Sequence, residues 1–137
     1  MSRVVHPKHY NVHPSGIECI DVIKPLPFCL GNAIKYAWRS DHKNGLEDIE
    51  KCSQYLSWFT FDDIMTVWMV RYRLPSKQDL QKIIDSDREN VLLVYLMRSL
   101  IHICDGNFDR GDTTIGLARG YLSKKVGSPS DREIRET

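Results

Sequence analysis

The chain has no surplus of either charge: 19 Lys and Arg face 18 Asp and Glu, a formal charge of +1 across 137 residues. A general binder of nucleic acid carries a basic face. None is visible here, so nucleic acid is not an expected partner and any electrostatic function depends on local charge placement. No apolar run approaches the ~18 residues of a membrane-spanning helix, and Met1 to Pro7 lacks the apolar stretch of a signal peptide, so no membrane association is expected. Also missing are a G-x4-G-K-[ST] phosphate loop, a dinucleotide fingerprint, a serine elbow and an H-E-x-x-H pair, which sets aside the familiar P-loop kinases and several hydrolase designs. Cysteine is sparse and irregularly spaced. Cys19, Cys29, Cys52 and Cys104 sit among apolar residues without a C-x2-C pair and read as buried thiols in a reducing compartment. His6, His9 and His13 with Cys19 show no zinc-ligand spacing, so no structural zinc is expected.

What is present is the composition of a globular domain, 42% hydrophobic and 27% charged, with apolar residues at helical spacing. The expected fold is all-α, about five to seven helices with an extended arm over residues 1–16. A short helix is predicted from Ile17 to Lys24, stopped by Pro25 and Pro27. Others are expected over 29–39, 46–59 and 61–73, the last read as helix over strand. Ser76 caps a short helix carrying Leu80, Ile83 and Ile84. Residues 88–104 form a helix apolar over a wide arc, which places it either centrally or at a subunit interface. Residues 105–112 are rich in turn formers and read as a loop, followed by a helix over 113–124 and a polar tail over 127–137. The organisation is thus an arm, a motif-bearing region over 17–60, a helical hairpin or oligomerisation region of the same domain over 61–126, and the tail.

Chemistry concentrates in the first third. Asn32, Lys35, Tyr36 and Arg39 fall at i, i+3, i+4 and i+7, so one helix face carries an amide, an ammonium, a phenol and a guanidinium. Such a face suits a phosphate beside a base or sugar; the alternative is a solvated stripe with Tyr36 partly in the core. Asn32 could instead cap a helix that starts later. Glu18 and Asp21 share a face one helix earlier, and Glu47 and Asp48 open the next, with Lys51 four residues beyond Glu47. These carboxylates either pair with the cations or carry Mg2+ with a phosphate as a further ligand. His9 and Tyr10 lie on the arm, which either closes over a ligand or simply packs on the domain.

The run His6-Pro-Lys-His-Tyr10, Gly16-Ile-Glu-Cys-Ile-Asp21, Phe28, Gly31-Asn-Ala-Ile-Lys-Tyr-Ala-Trp-Arg39, Lys43, Gly45, Glu47-Asp48, Lys51 and Tyr55-Leu56 resembles the bacteriophage family known as DUF3310. The resemblance covers about residues 6–58. One family member is a non-P-loop kinase of deoxynucleoside monophosphates such as dGMP and dTMP. The resemblance therefore implies phosphoryl transfer from ATP or another nucleoside triphosphate, with Mg2+, in the cytoplasm of an infected bacterial host. Motif positions are occupied by His9, Tyr10, Glu18, Asp21, Asn32, Lys35, Arg39, Lys43, Glu47, Asp48 and Lys51. On that reading Lys35 and Arg39 meet phosphates, Glu18, Asp21, Glu47 and Asp48 bear on the metal, and His9, Tyr10, Asn32, Tyr36, Lys43 and Lys51 hold the nucleotide. Two other readings stand beside it. One is a helical pyrophosphohydrolase of the MazG type, although the E-x-x-E and E-x-x-D array is missing. The other is a non-catalytic protein that binds a nucleotide or a host or phage protein through Trp58, Phe59, Phe61, Trp68, Tyr72 and the 91–103 arc. The same surface points to a homo-oligomer.

Overall fold

The computed structural model describes residues 13–41 and 45–126. Among them are seven α-helices and no strand: α1 (Cys19–Ile23), α2 (Phe28–Arg39), α3 (Gly45–Ser57), α4 (Phe61–Val70), α5 (Lys77–Ser86), α6 (Val91–Cys104) and α7 (Phe108–Val126), with a 3-10 turn at Arg71–Arg73 after α4. The all-α expectation holds, and the favoured helix after Phe61 is there.

Helix starts follow local chemistry. Pro27 precedes α2 in extended geometry, so the helix begins at Phe28, and Asn32 lies inside it with Nδ2 donating to the Phe28 carbonyl at 2.9 Å. Asn32 is therefore not the cap. Ser76 does cap α5, its Oγ accepting from the Asp79 N–H at 3.1 Å. Asp63 reaches back to accept from the Thr60 N–H at 2.9 Å and fixes the entry to α4.

The expected 105–112 loop is much shorter, and α7 starts at Phe108 instead of Thr113. Gly106, at φ +80°, ends α6 by a left-handed turn in which the Asn107 N–H donates to the His102 carbonyl at 2.8 Å. Asn107 then accepts from the Arg110 N–H at 3.3 Å and opens α7.

Helix α6 is central. It packs on α2, α4, α5 and α7, and Leu92, Leu93, Leu96, Met97, Leu100 and Ile103 are almost wholly buried. Most of its wide apolar arc is covered by the chain's own helices, with Val91 exposed and Tyr95 and Ile101 partly buried. Two polar side chains tie distant segments together. Asn90 caps α6 through Oδ1 and donates from Nδ2 to the Ala37 carbonyl at the end of α2, at 2.9 Å. Arg119 of α7 donates to the Leu56 and Phe59 carbonyls at the end of α3, at 2.9 and 2.8 Å.

Candidate functional site: the face of α2 and α3

Helices α2 and α3 run antiparallel, as their facing pairs show: Arg39 meets Asp48 near the connection, Tyr36 meets Lys51 and Tyr55 midway, and Phe28 meets Tyr55 at the far end. Their inward residues, Leu30, Ala33, Ile34, Ala37, Cys52 and Leu56, are buried. Helical periodicity then leaves Phe28, Asn32, Lys35, Tyr36 and Arg39 along one outward strip of α2.

That strip is aromatic at one end and cationic at the other. Tyr36 stacks on Tyr55 with ring centroids 5.9 Å apart and planes 8° from parallel. Tyr55 in turn meets Phe28 and Trp58 edge-on at 5.7 and 5.8 Å, and both of those rings are more than half exposed. Around the Tyr36 ring stand Lys35 Nζ at 4.8 Å, Lys51 Nζ at 5.3 Å and Arg39 Cζ at 5.8 Å from the centroid. Three cations on one ring would repel one another in isolation. Carboxylates offset this: Glu47 lies 3.1 Å from Lys51, and the buried Asp48 lies 3.7 Å from Arg39. The Glu47 contact holds Lys51 above the usual lysine range, first through its hydrogen bond and then through its charge.

The start of α1 borders this cluster. Burial pushes the Cys19 thiol up to about 12, while the charge of Lys35 acts in the opposite direction. Asp21 is exposed and lies 3.9 Å from Lys24. Among the described residues, no group of three or more His, Cys, Asp or Glu side chains is arranged to hold a metal ion. The four carboxylates read from sequence as metal ligands thus do not form a ready-made protein cage.

Lys35, Tyr36, Arg39 and Lys51 come together, Asn32 sits beside them on the same helix face, and Glu47 and Asp48 serve the cations. His9, Tyr10 and Lys43 lie outside the described residues. From the arm, His13 is held: its ring stands 4.6 Å from that of Trp38 and its Nε2 lies 3.3 Å from Asp87 Oδ2. The sequence reading gave Tyr55 and Phe28 no site role, and it named Trp58 only in the contact surface of a non-catalytic binding protein. The signal was available in the apolar spacing, since Tyr55 lies four residues past Lys51 and so shares its face of α3.

Residues 4–57 match the model of a family described as a protein of unknown function, DUF3310, and that domain ends at the last residue of α3. It contains every described site residue named above except Trp58, which lies one position beyond it. No curated protein and no solved structure matches the chain.

Proposed function

We propose that the α2–α3 face binds a nucleotide and that the protein transfers a phosphoryl group from a nucleoside triphosphate to a deoxynucleoside monophosphate of the dGMP or dTMP class. The observation that carries the reading is the grouping of Lys35, Arg39 and Lys51 around the Tyr36 ring, continuous with exposed aromatic rings. Phosphate meets the cationic end, where Arg39 offers a planar fork and the lysines offer mobile point charges. The base stacks at the Phe28 and Trp58 end. Resemblance to the non-P-loop deoxynucleoside monophosphate kinase supplies the reaction class.

In that reaction an oxygen of the acceptor monophosphate attacks the terminal phosphorus of the donor. The bond from that phosphorus to its bridging oxygen breaks, and a nucleoside diphosphate leaves. The acceptor's second ionisation lies near pH 6, so its oxygen is largely anionic at neutral pH and no strong base is required. Lys35 and Arg39 hold the two phosphates in register and counter the charge that spreads between them. Mg2+ supplies further neutralisation and arrives with the nucleotide, since phosphate oxygens and water provide most of its preferred ligands.

A second reading is nucleotide binding without chemistry, and the carboxylate pairing favours it. Glu47 and Asp48 are already engaged by Lys51 and Arg39. One assay separates the cases: purified protein with ATP, Mg2+ and each deoxynucleoside monophosphate in turn. Formation of ADP with a deoxynucleoside diphosphate is the expected result. Pyrophosphate release without an acceptor marks a MazG-type hydrolase, and binding without turnover marks the non-catalytic protein. Lys35→Ala should lower turnover by a factor on the order of 100 with an unchanged melting temperature, whereas Arg39→Ala should lower turnover similarly and also lower the melting temperature, because it leaves the buried Asp48 without its cation. Full activity in both variants removes the site.

A further inference from the structure

The aromatic residues read from sequence as one contact surface are sorted by the fold. Phe59 is buried and Trp68 packs edge-on against Phe108 at 5.4 Å, so neither offers a free face. What stays outside is a stripe along α4. Phe61, Met65 and Met69 recur every fourth residue and are 49%, 36% and 69% exposed, and Tyr72 in the following turn is 81% exposed. The opposite side of α4 is buried through Ile64 and Val67, so the helix already has its core face and carries this apolar stripe in addition.

Charge at the two ends of the stripe says what covers it. Asp62 lies at the start of α4 and Arg73 at the end of the turn that follows, both exposed. Among the described residues neither one forms an ion pair. A helix with an apolar stripe, an unpaired acid at one end and an unpaired base at the other is complementary to itself when reversed. A two-fold axis near the middle of α4 sets the Met65 and Met69 side chains of two copies against each other, and Asp62 of each copy against Arg73 of the other. At ~200 Å² for a large side chain, the exposed shares of the four stripe residues amount to about 450 Å² per copy, over half of the ~800 Å² each partner gives to a standard interface. Thr66 and the two charged ends add a rim.

We propose that α4 is a dimerisation helix, packing antiparallel on α4 of a second copy of this chain. Methionine suits the centre of such a contact, because its flexible thioether fills an interface that is not pre-shaped. This surface lies outside the 4–57 domain and does not depend on the nucleotide reading.

Sedimentation equilibrium on the full chain tests it. The wild type is expected to be a dimer at micromolar concentration, and Met69→Glu a monomer with unchanged helix content, since that side chain is mostly exposed in one copy. Asp62→Arg and Arg73→Asp should each weaken the dimer by about tenfold, and the double variant, in which the reversed charges meet again, should recover most of that loss. A monomeric wild type, assembly beyond a dimer, or a double variant no tighter than the singles overturns the proposal.

Discussion

At the scale of single residues, the limit on reading this site is angular. Glu47 and Asp48 are neighbours in sequence and were assigned the same role, yet neighbours on a helix point about 100° apart. Glu47 is exposed beside Lys51, whereas Asp48 is 2% exposed and faces Arg39 from below. Tyr36, by contrast, is legible as both a surface and a core residue, and it is both: half-buried against the core while three cations ring its face. Of the four cysteines read as buried thiols only Cys52 is buried, while Cys19, Cys29 and Cys104 are partly exposed, because apolar neighbours in sequence do not fix which way a helical side chain points. Cys52 is 0% exposed, and burial pushes its thiol far above the ordinary value of 9.0. The sign of the consequence follows. Above pH 9 the unfolded chain releases this proton and the folded chain keeps it, so the unfolded state is favoured as pH rises. Cys52→Ala removes that contribution. Its stability deficit relative to wild type, measured by urea denaturation, should therefore shrink by about 1.4 kcal/mol per pH unit above pH ~9.5. A deficit constant with pH would show that the thiol ionises equally in both states.

At the scale of elements, apolar spacing located the helices, and the errors lie where a polar or small residue has a tertiary role. The segment Asp105 to Asp112 contains Asn, Asp and two glycines, which read locally as a loop. Gly106 indeed makes a turn, but Gly111 is in α7, where it permits close approach to α6: the Ser99 hydroxyl donates to its carbonyl at 2.8 Å. A Cβ at Gly111 would sit 2.6 Å from Ile103 Cγ1. Nothing in the local sequence distinguishes that glycine from Gly116 and Gly120, around which a Cβ meets nothing within 4 Å. Replacement by alanine separates them. Gly111→Ala gains up to ~1 kcal/mol of helix propensity and loses about 1–3 kcal/mol to overpacking, so it should destabilise the fold. Gly116→Ala and Gly120→Ala should each stabilise it by about 0.5–1 kcal/mol. Denaturation midpoints at constant slope check all three, and a Gly111→Ala protein as stable as the other two would mean that α6 and α7 separate readily.

At the scale of the molecule, the sequence showed helices without showing which packs on which, because the deciding contacts join residues far apart in the chain. Asn90 is an ordinary polar residue before a helix until its second bond, to Ala37, is seen. Arg119 is one basic residue among 19 until its guanidinium is found closing the end of α3. The 4–57 domain therefore supplies the candidate site but not the means of holding it. Leu30, Ile34, Ala37 and Leu56 are buried in the core cluster they share with α6 and α7, and α2 and α3 alone cannot cover their inner faces. Exposing several such side chains costs about 1.5–3 kcal/mol each, comparable in sum with the whole stability of a small domain. A chain ended after residue 60 also leaves the carbonyls of Leu56 and Phe59 without Arg119, and that of Ala37 without Asn90. It is expected to show weak helical signal and no cooperative thermal transition, whereas the full chain melts in one step. A cooperative melt of the short chain, with intact nucleotide binding, would show that the domain folds by itself and that α4 to α7 serve only what is attached to it.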